Sequence, residues 1–501
     1  MARDLLLEPA FPTSDIQGDI LAGLLKRHEH LVFFRIADPA KFRAFLKTLD
    51  LTSMQECLDK RAAIKARKDK GDVTVLPTPG LNVAFTFKGL TALNVPGIDH
   101  APGMDAFRAG MAQRQAILAD TPAATWKVLV PGTLVHGVFI LTGASHAEVV
   151  DVISLRLAPP AANGWAKVYE QVGEVRPDPA RGHEHFGYAD GVSQPGVRGR
   201  VGTDPLTPTV PGGADNQGSL GQDLLWPGEF VFGYPGQNPA GPTLEVKGDV
   251  KAPPVPFMQN GAFLVFRRLS QQVPEFNASV KQASAGLGAT VDPASPDLMG
   301  AQLVGRWKSG APLILTPTQD DPALADGGPE VNHFEFGGDR EGLKCPWGAH
   351  VRKAYPRDDV RHNTTPTEEE ITASEAFTQT HRMMRRGIAF GPELTEDEAM
   401  AGVSAGGTQA RGLLFKCYVT SIENQFEFVQ QQWVDAADFS QPGSGIDAIM
   451  GQSASASRPF LGAAPVSHDA STKPHLNLKG FVHMEGGEYF FAPSIPSVKA
   501  A

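Results

Sequence analysis

Apolar residues recur along this chain at two spacings, and the two spacings alternate. HLVFFRI (30–36) is a short apolar run of strand length, whereas PAKFRAFLKTL (39–49) brings Phe42, Phe45, Leu46 and Leu49 onto one helical face. LNVAFTF (81–87) predicts a second strand with a helix beginning in GLTALNV, and HGVFILTG (136–143) predicts a third strand. HAEVVDVISLRL (146–157) places Val149, Val152, Ile153 and Leu157 on one side of a helix. AKVYEQVGEV (166–175) alternates as a fourth strand. The order β-α-β-β-α-β is the split βαβ arrangement of a ferredoxin-like unit.

From about Pro195 to Asn260 the pattern dissolves into Gly- and Pro-rich stretches such as TPTVPGGADNQGSLG and YPGQNPAGP, which predict loops. The alternation then restarts. GAFLVFRRL (261–269) predicts a strand, PEFNASVKQASA begins a helix, and MGAQLVGRWKSG (299–310) continues helical. LLFKCYVT (413–420) predicts a strand, SIENQFEFVQQQW (421–433) an amphipathic helix, and GEYFFAPS (487–494) a closing strand. The expected fold is therefore α+β: two ferredoxin-like (βαββαβ) halves, residues 1–250 and 251–501, with facing antiparallel sheets that enclose something.

Composition narrows the function classes. The 501 residues are 42% hydrophobic and 20% charged, with a net charge of −10, so nucleic acid is not an expected partner. The one basic run, KRAAIKARKDKG (60–71), reads as a solvated helix face. Cys57, Cys345 and Cys417 are too few and too dispersed for a disulfide framework or a CxxC metal knuckle. The N-terminal apolar stretch is broken by Pro9, Pro12 and Asp15, and no run reaches transmembrane length. A cytoplasmic or non-classically exported protein without a membrane partner is expected.

Four segments carry candidate chemistry. HEHFGYADGVSQP (183–195) crowds His183, Glu184, His185 and Asp190 together, and a direct metal site there would use them as ligands. The bland alternative is a polar loop in which Asp190 bonds its own backbone. CPWGAHVRKAYPR (345–357) offers a single histidine, His350, without the CxxCH of covalent haem attachment. One neutral imidazole suffices for axial ligation of haem iron, provided an acceptor holds its other nitrogen. RMMRRGIAFGPE (382–393) could aim one guanidinium into a cavity, and Glu423 stands at a strand-to-helix junction in RGLLFKCYVTSIENQF (411–426).

Taken together, these segments resemble the dye-decolorizing peroxidase family, in one of its larger subfamilies. FGYADG carries the GxxDG motif as Gly187, Asp190 and Gly191, CPWGAHVRKAYPR resembles the proximal-histidine segment, and RRGIAFGPE resembles the distal-arginine segment. RGLLF, CYVTSIENQFEFVQ, GGEYFFAP, IQGDILAGLLK and VGRWKSGAPL follow in family order. The resemblance implies one non-covalent haem b per chain, enclosed by the two halves. It implies His350 as the iron ligand, Asp190 as distal acid/base and Arg385, chosen over Arg386, as distal cation. Glu423 would accept the hydrogen bond of His350, while Gly191, Leu413, Phe415 and Arg352 would contact the haem. His183 and His185 fall to secondary status.

The activity so implied is reduction of H2O2 and oxidation of bulky dyes, phenols and other aromatic reductants through an oxoferryl porphyrin radical. A carboxylate base stays ionised to lower pH than an imidazole, so activity should persist in acid. Electrons could also leave through Trp347, Tyr355 or Trp433. The alternatives are a haem-handling protein, deferrochelatase-like or a carrier, on the same fold; a cofactor-free binding module; and a mononuclear metalloenzyme built on His183, Glu184, His185 and Asp190.

Overall fold

A computed structural model describes residues 3–210, 216–286, 295–325, 327–359, 366–452, 458–465 and 467–501. Residues 211–215 of the expected loop region lie outside this set. Nine strands form one antiparallel sheet. They are β1 (His28–Ile36), β2 (Gly80–Phe85), β3 (Gly137–Gly143), β4 (Trp165–Glu174), β5 (Ala262–Gln271), β6 (Met384–Arg385), β7 (Ile388–Phe390), β8 (Gly412–Val419) and β9 (Val482–Ala492).

The strand order is β6-β8-β5-β9-β2-β3-β1-β4, with β7 also on β8. If β6 and β7 are taken as one interrupted strand, each half repeats the same second-third-first-fourth order, so the duplication expected from the pattern is present. Within the sheet, the halves join at one described register pair, Phe491 of β9 with Phe85 of β2. The far edges also approach each other. A Cβ on Gly173 of β4 would come within 2.5 Å of Ile388 in β7, so the sheet curls towards a barrel.

Alternation decides which residues the barrel encloses. Leu31 and Phe33 turn inward, whereas Val32 and Phe34 turn outward beneath the helices. The Phe33 ring lies 5.2 Å from Phe266 and 6.0 Å from Phe490, so the facing surfaces enclose a filled aromatic core. The candidate haem residues sit instead on the outward face of the second half. Within the interior, Lys416 Nζ lies 3.2 Å and the Tyr418 hydroxyl 2.9 Å from Asp19 Oδ2. Burial alone would raise the Asp19 carboxyl, but Lys416, Lys26 and Arg386 hold it well below the usual range. Asp19 belongs to IQGDIL, so this buried charge network fastens the N-terminal segment to β8.

Three local expectations change. The helix expected to continue to residue 310 covers Pro296–Val304, because Gly305 turns left-handed at φ +89° and ends it. Residues 421–433 are helical, but as two wide-turned segments, Ile422–Glu427 and Val429–Val434. Strands β6 and β7 escape the pattern because two or three residues show no period. The basic run lies at the exposed end of the helix Met54–Lys68, as expected. Among the described residues, no helix is long and apolar enough to cross a membrane.

Candidate active site

His350 opens the short helix His350–Ala354, after the turn that Ala349 N–H closes on the Pro346 carbonyl. Its Nδ1 lies 2.7 Å from Asp447 Oδ2. Asp447 is fully buried, and its other oxygen accepts the N–H groups of Ile449 at 2.8 Å and Met450 at 2.9 Å. That Asx turn points the carboxylate at the imidazole. Burial opposes a charge on His350, but the Asp447 carboxylate outweighs it and raises the ring's pKa; burial would likewise raise Asp447, yet His350 holds it low. With Nδ1–H committed to Asp447, the Nε2 lone pair is free, and among the described residues no hydrogen bond reaches it. The side chain keeps 28% of its surface accessible although it lies deep in the fold.

Asp190 and Arg385 converge on the same space from two different elements. Asp190 sits on a loop held by its own N–H on the Gly182 carbonyl at 2.9 Å and by Ala189 N–H on Lys308 at 3.1 Å. Its Oδ1 accepts the Gly191 N–H at 2.7 Å, while Gly191 adopts φ +74°, a left-handed conformation that suits glycine. A side chain on Gly191 would meet nothing within 4 Å, so the turn borders open space. Arg385 comes from β6. Gln194 grips its backbone on both sides, accepting its N–H at 3.3 Å and donating to its carbonyl at 3.0 Å. The guanidinium also donates to the Ser193 carbonyl. Burial depresses the Arg385 pKa and the Asp190 charge opposes that shift; both charges also act on His350.

The pairings separate the two arginines. Met384 faces the inner core, so Arg385, paired with Cys417, faces outward beside Phe415 and Leu413. Both of those side chains are only half-buried in an otherwise buried strand, which leaves apolar surface open next to Arg385. Arg386 faces the N-terminal segment and donates to the carbonyls of Asp19 at 2.8 Å and Leu21 at 2.6 Å. It is an anchor, and Arg385 is the arginine whose charge acts on Asp190 and His350.

Two expected residues lie elsewhere. Glu423 is not the partner of His350; its Oε1 accepts the Ala106 N–H at 2.8 Å, and it borders a surface cleft with Arg114 and Glu427. The wide-turned segment it opens carries it away from His350. Arg352 does not face the open space either. Its guanidinium is 1% exposed and is fully used by Asp359 at 2.7 Å, Asp339 at 3.0 Å and the Cys345 carbonyl at 2.6 Å. It braces the segment that carries His350.

The crowded histidine segment does not form a ligand set. Glu184 accepts the N–H groups of Phe186 at 2.8 Å and Tyr188 at 2.9 Å, and burial raises its pKa. His185 gives Nε2 to the Phe390 carbonyl at 2.9 Å, and His183 Nδ1 lies 3.0 Å from the Arg181 carbonyl. Among the described residues, no three His, Cys, Asp or Glu side chains are arranged to hold a metal ion. Cys345 offers no thiolate, because burial pushes its thiol up to about 12.

Sequence reasoning missed Asp447, Ser193 and Gln194. The GSGIDAIM stretch signals an Asx turn at Asp447, but nothing in it names His350 as the partner 97 residues away.

Residues 15–177 match the family described as the DyP dimeric alpha+beta barrel domain. A dye-decolorizing peroxidase of Mycetinis scorodonius is 33% identical, over 97% of this chain and 86% of its own. One from Auricularia auricula-judae is 34% identical over the same shares. A solved structure of an ancestral D-type dye-decolorizing peroxidase superposes with a TM-score of 0.80 at 34% identity, covering 98% of this chain and 99% of the other. The chain belongs to the dye-decolorizing peroxidase family.

Proposed function

We propose that this protein is a haem peroxidase that reduces hydrogen peroxide and oxidises dyes, phenols and other aromatic reductants, with one non-covalent haem b per chain. The observation that carries the reading is the His350–Asp447 pair: a fully buried carboxylate fixes the tautomer of a deep histidine whose side chain keeps 28% of its surface accessible. Family membership gives that donor set its chemistry.

The residues fit the cofactor. His350 would hold the haem iron through Nε2, and the Asp447 carboxylate behind the ring would raise the basicity of that nitrogen. Leu413 and Phe415 supply apolar surface to the porphyrin, and Gly191 leaves room for its approach. When bound, haem supplies the redox-active iron at which peroxide is reduced. Asp190 takes the proton from one oxygen of hydrogen peroxide and returns it to the other, which leaves as water. Arg385 is a fixed positive charge beside the departing oxygen, and stabilises the negative charge that builds there. Ser193 and Gln194 hold Arg385 in register with the Asp190 loop, so the proton carrier and the cation keep one geometry.

A spectrum of the purified protein before and after peroxide, with a dye as reductant, tests this reading. A Soret band and peroxide-dependent bleaching of the dye are expected. Full haem loading with no peroxide-dependent oxidation would overturn it in favour of haem carriage.

A further inference from the structure

A second histidine group lies on the outward face of the first half, among residues with no part in the candidate active site. His28 and His30 are two residues apart on β1, so both rings leave the same face of the sheet. His146 opens the helix His146–Val152, which packs on that face through Val149. The His30 and His146 rings are 4.9 Å apart between centroids, and those of His28 and His146 are 6.5 Å apart.

We propose that His28, His30 and His146 form a binding site for a borderline divalent transition-metal ion such as Zn2+. His30 Nε2 lies 3.1 Å from His146 Nδ1. Two nitrogens at that separation can both reach one ion at the usual zinc–nitrogen distance of about 2.0–2.1 Å. His30 Nδ1 lies 2.7 Å from Glu170 Oε1. That contact commits Nδ1–H to a carboxylate and leaves Nε2 as the donor, the arrangement that metal-ligating histidines share. Lys167 holds the other Glu170 oxygen at 2.8 Å, so the carboxylate is itself oriented.

Carboxylates surround the three rings. Glu174 pairs with His28 across the strands, and its Oε1 lies 3.9 Å from His28 Nδ1. Glu148 lies against Gly143, the residue paired with His28 on the neighbouring strand. Its Oε2 accepts the Ala144 N–H, while its Oε1 is buried with no partner. A cation nearby would relieve that orphaned oxygen. His30 is 3% exposed and His28 19%, but His146 lies on the surface and gives an ion a way in.

As the rings stand, they are not arranged around a metal position, and the His146 Nδ1–H donates to His30 Nε2; binding needs the His28 and His146 rings to turn towards the ion. Binding moves the His146 ring proton from Nδ1 to Nε2. Both facing nitrogens then offer lone pairs and no proton is lost overall. Imidazole donors favour zinc, nickel or copper over calcium or magnesium, which take oxygen ligands.

The test uses tag-free holoenzyme dialysed against micromolar free zinc, with bound zinc counted by mass spectrometry separately from iron. One zinc per chain is expected in the wild type. The variants His146→Ala and His28→Asn should each weaken binding about 10-fold or more, and Glu170→Gln about 10-fold to 100-fold, the usual effect of losing an outer-sphere partner. An unchanged Soret band in each variant shows that the fold is intact. Wild-type protein that takes up no zinc, or a His28→Asn/His146→Ala double variant that retains it, would overturn the proposal.

Discussion

Two of the segments that carry histidines use them in opposite ways. HEHFGYADG carries two, both turned onto backbone carbonyls. Burial holds His185 at a pKa of about 4, so the ring is a neutral donor to Phe390. CPWGAH carries one, and its ring is backed by a buried carboxylate that raises its pKa and frees Nε2. What occupies one ring nitrogen therefore decides whether the other is available, and the number of histidines in a segment says little about it. On the proposed reading, the crowded segment contributes an aspartate and the sparse one the iron ligand.

The largest effect should come from removing the ligand. His350→Ala is expected to abolish stable haem loading, read as loss of the Soret band, whereas His183→Ala should leave it intact. A Soret band retained at full height in His350→Ala would break the contrast. Next come the groups that move charge. Asp190→Asn should slow the peroxide reaction by about 10²–10⁴-fold in stopped-flow measurements, and Arg385→Leu by about 10²–10³-fold. Arg386→Leu should instead lower thermal stability by freeing the N-terminal segment.

Asp447→Asn should reduce haem affinity or turnover by about 10-fold to 100-fold. Glu423→Gln should change neither, and an equal loss in both variants would reinstate Glu423. The smallest effect concerns His185. An unfolded chain takes up its proton below about pH 6.5, but the native ring does so only near 4. Stability is thus lost as pH falls across that window. His185→Gln should flatten the fall, measured as urea midpoints at neutral and mildly acid pH.

The sequence revealed the repeating framework because β1, β5, β8 and the helices between them are long enough to show a period. It hid β6 and β7, which are only two or three residues long, and β6 carries Arg385. That His350, Asp190 and Arg385 belong together was legible because their segments resemble family motifs in order, and their charges do act on one another. The choice of Glu423 failed because a carboxylate at a helix start looks the same whichever way the turn carries it. Arg352 failed for a related reason: sequence cannot show that Asp339, Asp359 and Cys345 already occupy its guanidinium. Asp447 went unseen because its meaning depends on a partner 97 residues away.

The order in which the ribosome delivers these residues has a consequence of its own. Gln194 emerges 191 residues before the arginine it grips, a wait of roughly 10–40 s at ordinary translation rates. Asp447 follows His350 by a further 97 residues and is the last of these groups to appear. On the proposed reading, a nascent chain that meets free haem early lacks the carboxylate that would fix His350. Synthesis itself thus delays secure capture of a reactive cofactor until the machinery that disciplines it has been made.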